Sequence, residues 1–170
     1  MEFDKKRDNN KEYVLEQVKK QGNLLEYASD ELKDDKEIVM TAIEQNGNVL
    51  EFASSRLKDD REVVKSSVQK VGWTMCYASD RLRADKEIML TAVKIDGQEL
   101  YYASPELRDD KKIVLEAVKN KGLIVKYASN RLRADKEIML AAIQNDKRAK
   151  EYISDPKLLE DENIKQELEV

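Results

Sequence analysis

The residues best suited to chemistry in this sequence are carboxylates, and they come in pairs: Asp34-Asp35, Asp59-Asp60 and Asp109-Asp110. Adjacent aspartates suggest either a calcium site or an acid–base dyad. The spacing offers no EF-hand loop. Ala84 and Ala134 take the place of the first aspartate in two further copies of the pattern, whereas the second is kept at Asp85 and Asp135. A dyad needs both carboxylates. A helix N-cap needs one, whose oxygen accepts from the free amides of the first turn, so capping is the expected role. The chain has no histidine and one cysteine, Cys76. That removes the commonest general base and metal ligand and leaves no disulfide or cysteine–zinc framework. No nucleophile–base pair, phosphate loop or metal cluster can be assembled. Neither catalysis nor a metal or cofactor is expected.

Two basic columns and one aromatic column are the next chemical features. Lys33, Lys58, Arg83, Arg108 and Arg133 recur beside leucines, and Lys36, Arg61, Lys86, Lys111 and Lys136 follow the capping aspartates. Stacked on one edge, they would make a polyanion track or an ion-pair ladder. The second column falls in the first turn of a helix, where the macrodipole disfavours cations, so carboxylate partners such as Glu37, Glu62 or Glu87 are expected. With 31 basic against 35 acidic residues, a net charge of −4, the ladder is preferred and nucleic acid is a poor partner. Tyr27, Phe52, Tyr77, Tyr102, Tyr127 and Tyr152 lie beside an alanine column. They are expected in the core, with their hydroxyls reaching a polar edge.

The element that positions these residues is a repeat. Gly22, Gly47, Gly72, Gly97 and Gly122 are each 25 residues apart, and Ser29, Ser54, Ser79, Ser104, Ser129 and Ser154 keep the same period. In the unit from Asp35 to Leu57, Ile38, Val39, Ala42 and Ile43 form one helical stripe. The pattern predicts a helix over about 36–46, closed by Gly47 in the left-handed conformation. A short second helix over about 48–53 and a serine-capped turn ending near Leu57 follow. Long helices are expected to begin near residues 11, 36, 61, 86, 111 and 136. None reaches the ~12–15 residues an isolated helix needs, so stacking must stabilise them. The fold class is all-α: a solenoid-like array of 25-residue two-helix repeats with degenerate terminal caps. Lys147 replaces glycine in the closing repeat, and the leucine and aspartate columns slip to Leu158 and Asp161. The divisions expected are a polar N-terminal tail over 1–9, a repeat domain over 10–155 and a C-terminal capping helix over 156–170.

The phrase Leu-x-Tyr-Ala-Ser-x-x-Leu-(Lys/Arg)-x-Asp-(Lys/Arg)-Glu-(Ile/Val) runs through Leu50–Val63, Met75–Ile88, Leu100–Ile113 and Val125–Ile138, and Leu24–Ile38 carries it with one extra leucine. It resembles a helical repeat catalogued as domain-of-unknown-function family 4116, over about residues 10–155. Departures are Phe52, Ser67 and Lys112. The resemblance implies a helical repeat and no particular chemistry. Such repeats occur in proteins of protists, algae and amoeba-associated bacteria, including candidate secreted effectors of Legionella-like pathogens.

Comparing the repeats with one another exposes one unusual edge. After each glycine stand Asn23, Asn48, Trp73, Gln98 and Leu123, and the residues before it include Val71 and Ile95 where sister repeats are polar. Val71, Trp73, Ile95 and Leu123 are therefore expected to form an apolar contact edge for a protein or peptide partner, or for a second copy of the chain. The alternative is that Trp73 folds back over its own repeat. The reading is a non-enzymatic interaction scaffold, part of a secreted effector in one version. Its rivals are a polyanion binder using the basic columns on nucleic acid or phosphoinositide, and a regulatory segment of a larger enzyme. No apolar run approaches the roughly 20 residues of a membrane span, and Met1–Lys11 lacks a signal-peptide core. A soluble, cytoplasmic chain is expected, with delivery into a host cell as the effector version. For that version the glutamate-rich Glu160–Val170 segment would serve as an export signal, and otherwise as a solvated face of the capping helix.

Overall fold

The computed structural model describes Asp4 and residues 7–169. Most of the expected polar tail's first six residues, and Val170 at the acidic terminus, lie outside the described residues. All regular elements among the described residues are helical. The chain divides into two compact halves, residues 1–82 and 83–170.

In the first half the long helices are Lys11–Lys20, Lys36–Gln45 and Arg61–Val71. In the second they are Lys86–Ile95, Lys111–Asn120 and Lys136–Asn145. All six start where the sequence pattern places them. Each first turn is held by the expected cap: Asp35 accepts from the amides of Glu37 and Ile38 at 3.0 and 3.3 Å, and Asp85 from Glu87 and Ile88 at 3.0 and 3.1 Å. The apolar stripe faces inward as predicted, with Ile38, Val39 and Ala42 at zero exposure and Ile43 at 1%. Full burial of such a side chain stabilises by about 1.5–3 kcal/mol, and this is what lets ten-residue helices persist.

The second helix of each repeat is a 3-10 helix, as at Gly47–Phe52 and Gly97–Tyr102. A single α-turn follows, as at Ser55–Lys58 and Pro105–Arg108. The serine column explains its own regularity. The Ser54 amide donates to the Lys33 carbonyl at 3.0 Å, tying its turn to the preceding repeat. Its hydroxyl accepts from the Leu57 amide at 3.2 Å and donates to Asp34. Ser79 and Ser129 repeat the arrangement with Asp59 and Asp109.

The glycines do not close helices in the left-handed conformation, contrary to expectation: among the described residues only Gly72 has a positive φ, of 73°. The others open the 3-10 helix, and what requires glycine is close approach. A Cβ at Gly97 would lie 2.4 Å from the Ala117 carbonyl oxygen, and one at Gly122 would lie 2.3 Å from that of Ala142. The chain reverses instead at an extended residue such as Asn46, whose side chain accepts from the Asn48 amide at 3.0 Å.

The C-terminal segment is a 3-10 turn, Pro156–Glu160, and a helix, Glu162–Glu169, rather than one helix over 156–170. Asp161 accepts from the Asn163 amide at 3.0 Å, as the slipped aspartate column predicts. Ile164 is fully buried, and Gln144 donates to Glu167 at 2.8 Å, so this helix packs on Lys136–Asn145.

Candidate functional site

The carboxylates proved structural, and more so than capping required. The two members of each pair serve different partners. Asp35 caps its helix and receives Lys11, whereas Asp34 receives the Ser54 hydroxyl and the Arg56 Nε at 2.9 Å. Asp59 holds Ser79 and Arg81, and Asp109 holds Ser129 and Arg131, in the same way. The serine hydroxyl, and after it the guanidinium, keeps each of these carboxyls below the ordinary value. A signal for this clamp was present in the sequence: arginine stands 22 residues after each of the three aspartates, whereas Ala84 is answered by Glu106 and Ala134 by Pro156.

The second basic column is an ion-pair ladder. Lys11 reaches Asp35 and Glu37 at 2.7 and 2.9 Å, Lys36 reaches Asp60 and Glu62 at 2.8 and 2.7 Å, and Lys111 reaches Asp135 and Glu137 at 2.8 and 2.9 Å. Lys86, whose second partner position is Lys112, pairs with Asp110. The Asp60 and Glu62 carboxylates raise the Lys36 ammonium, as Asp135 and Glu137 raise Lys111. These lysines are already committed, which weakens the polyanion-track reading for this column.

The tyrosine column is not core. Tyr27 is 44% exposed, and Phe52, Tyr77, Tyr102, Tyr127 and Tyr152 are half-buried at the edge. Two members of the first basic column lie over rings of this column. The Arg83 guanidinium lies 5.7 Å above the Tyr102 ring and that of Arg108 lies 5.9 Å above Tyr127, within cation–π range.

The Trp73 corner departs from its sisters in four ways. The helix Arg61–Val71 runs one residue longer, to 11 against 10. Gly72 takes a positive φ, and the Trp73 amide donates to the Val71 carbonyl at 2.8 Å, a strained γ-turn. The following 3-10 helix shrinks to Met75–Tyr77. Ser67, standing in the column of Ala42, Ala92, Ala117 and Ala142, donates to the Gly47 carbonyl and shares a hydrogen bond with the buried Thr74 hydroxyl, both at 2.9 Å. The result is Trp73 in solvent, 48% exposed.

The four expected contact residues are not equally placed. Trp73 and Ile95, at 47%, are exposed, while Val71 and Leu123 are half-buried. Val71 turns a methyl group onto Gly47. Val71 and Trp73 lie together in the first half, and Ile95 and Leu123 belong to the second. Cys76 is half-buried. Sequence reasoning missed Glu99, 2% exposed at a position held by Val49 and Ile124 in sister repeats.

No described helix is long and apolar enough to cross a membrane. Nothing matches the chain among curated proteins or among solved structures. The family "Domain of unknown function (DUF4116)" matches residues 10–58, 60–108 and 110–159, so each match spans two of the 25-residue repeats. The chain is a member of the DUF4116 family, built as a tandem array of its helical repeats.

Proposed function

We propose that this chain is a non-enzymatic protein-interaction module whose first half presents Trp73 to a partner chain. The observation that carries the reading is the rebuilt corner. The γ-turn centred on Gly72 is a strained reversal, and its outcome is a large aromatic side chain half in solvent. Sister repeats make the same connection with Asn48 or Gln98 and without the strain. Trp is the residue most enriched at binding hot spots. Covering its exposed half removes on the order of 100 Å² of mostly apolar surface, worth about 2–3 kcal/mol before association costs.

The reading extends to a soluble scaffold working inside a cell, with delivery into a host as its effector version and Glu160–Val170 as the export signal to test. Trp73 is the sole tryptophan, so intrinsic fluorescence reports on this corner alone. Free protein should emit in the red range of a wet indole and shift to the blue when a partner or a second copy binds. Emission that is blue at all dilutions would place the indole in the protein's own core and remove the proposed surface.

A further inference from the structure

The second half carries a different surface, in which cations and tyrosines gather without carboxylates between them. Tyr101 is 46% exposed and packs edge-on against both Tyr102 and Tyr127, with ring centroids 4.9 Å apart in each case. The Arg108 guanidinium and the Lys126 ammonium both lie on the Tyr127 ring, at 5.9 and 4.9 Å from its centroid. Arg108 donates through one terminal nitrogen to the Tyr101 carbonyl, and Arg133 likewise to Asn130. The Nε atoms of Arg108 and Arg133 are buried with no hydrogen-bond partner. Among the described residues neither arginine, nor Lys126, forms an ion pair. A buried donor left unsatisfied is destabilising, more so when it is charged.

The first half shows what is missing. Its column reads Glu26, Glu51 and Cys76, and the Glu51 charge favours the ammonium of Lys58, the counterpart of Arg108, against the burial that pushes it down. In the second half the same column reads Tyr101 and Lys126, and a carboxylate returns only at Glu151. The protein has thus exchanged an anion of its own for a ring and a second cation.

We propose that the edge of Tyr101, Arg108, Lys126, Tyr127 and Arg133 binds a carboxylate-rich peptide segment of a partner protein. This rests on the reading of the chain as an interaction module and adds a second contact with a defined chemistry. Guanidinium forks match carboxylates in two-point geometry, and the remaining terminal N–H groups of Arg108 and Arg133, with the exposed Lys126 ammonium, supply the donors. A short acidic segment suits the edge better than nucleic acid for two reasons. Cations already occupy the Tyr102 and Tyr127 faces on which bases would stack. The chain's net charge of −4 repels a polyanion longer than the patch.

The test is fluorescence anisotropy of a fluorescein-labelled octaglutamate peptide with the full chain at low ionic strength. A glycine–serine peptide of equal length and a single-stranded oligonucleotide serve as comparisons. Wild type should bind octaglutamate and not the neutral peptide. Arg108→Gln should weaken it about tenfold, as expected for losing a charged hydrogen-bonding partner. Lys126→Glu, a change at an exposed position that leaves the fold intact, should abolish it. Trp73→Ala should leave it unchanged, which separates this surface from the Trp73 corner. Absence of octaglutamate binding, tighter binding of the oligonucleotide, or wild-type affinity in Lys126→Glu would overturn the proposal. Loss of the Trp73 reading alone would not alter any of these results.

Discussion

Replacing Gly97 by alanine would set a methyl carbon 2.4 Å from the Ala117 carbonyl oxygen, where ordinary contact begins near 3.4 Å. The obstacle is backbone, so about 1 Å must come from parting the 3-10 helix Gly97–Tyr102 from the helix Lys111–Asn120. Overpacking of this kind costs about 1–3 kcal/mol. The φ of Gly97 is not positive, so alanine also returns about 0.4–1 kcal/mol by restricting the unfolded chain. The net expectation is a loss of about 1–2 kcal/mol, or about 2–8 °C in melting temperature for a chain of this size. Urea titration followed by far-UV circular dichroism measures it. Gly97→Asn sharpens the test, because asparagine tolerates left-handed backbone and would rescue a conformational requirement but not a steric one. A neutral Gly97→Ala, or a Gly97→Asn milder than Gly97→Ala, would refute the close-approach account.

Further expectations follow from the charged edges and the corner. Asp85→Ala removes an N-cap and should cost about 0.5–2 kcal/mol in the same titration. Asp34→Ala removes an exposed clamp, so it should cost less, and a double-mutant cycle with Arg56→Ala should show the two losses to be coupled; independent losses would deny the clamp. The Asp34, Asp59 and Asp109 carboxyls lie below 3.8 in the folded chain, so their stabilisation is present above that value and is lost as pH falls further. The Lys36 and Lys111 ammoniums lie above 10.5, so theirs is complete below that value and is lost as pH rises through the raised one. Melting temperature should therefore be flat across neutral pH and fall at both extremes; a maximum confined to mildly acidic pH would contradict this. A translocation reporter on the full chain, against one lacking the last ten residues, decides the export reading, and equal transfer or none from either removes it.

The sequence announced where the long helices begin because caps and apolar stripes are local signals: Asp85 and the run from Ile88 to Val93 need no distant information. It misjudged why the glycines recur, since a column of glycine looks the same whether the need is positive φ or the approach of another helix. Only the position of Ala117 against Gly97 separates the two. The role of Asp34 was missed because its partners lie 20 and 22 residues away; the matching arginines were visible, but the motif was sought within one repeat. The tyrosines were assigned inward from their neighbours in register, although 3-10 geometry leaves them at the edge beside the basic column. Trp73 stood out because sister repeats share its backbone plan, yet no periodicity reveals the longer helix and the turned Gly72 beside it.

The most direct test of the account is affinity capture with purified wild type, Trp73→Ala and Trp73→Gln, the last installing the side chain the sister corner carries at Gln98. Melting curves of all three proteins are taken alongside. The account predicts a partner, or a second copy, retained by wild type and lost by both variants, with melting temperatures no more than a few degrees apart. Equal retention by all three, or a variant that no longer folds, would contradict it.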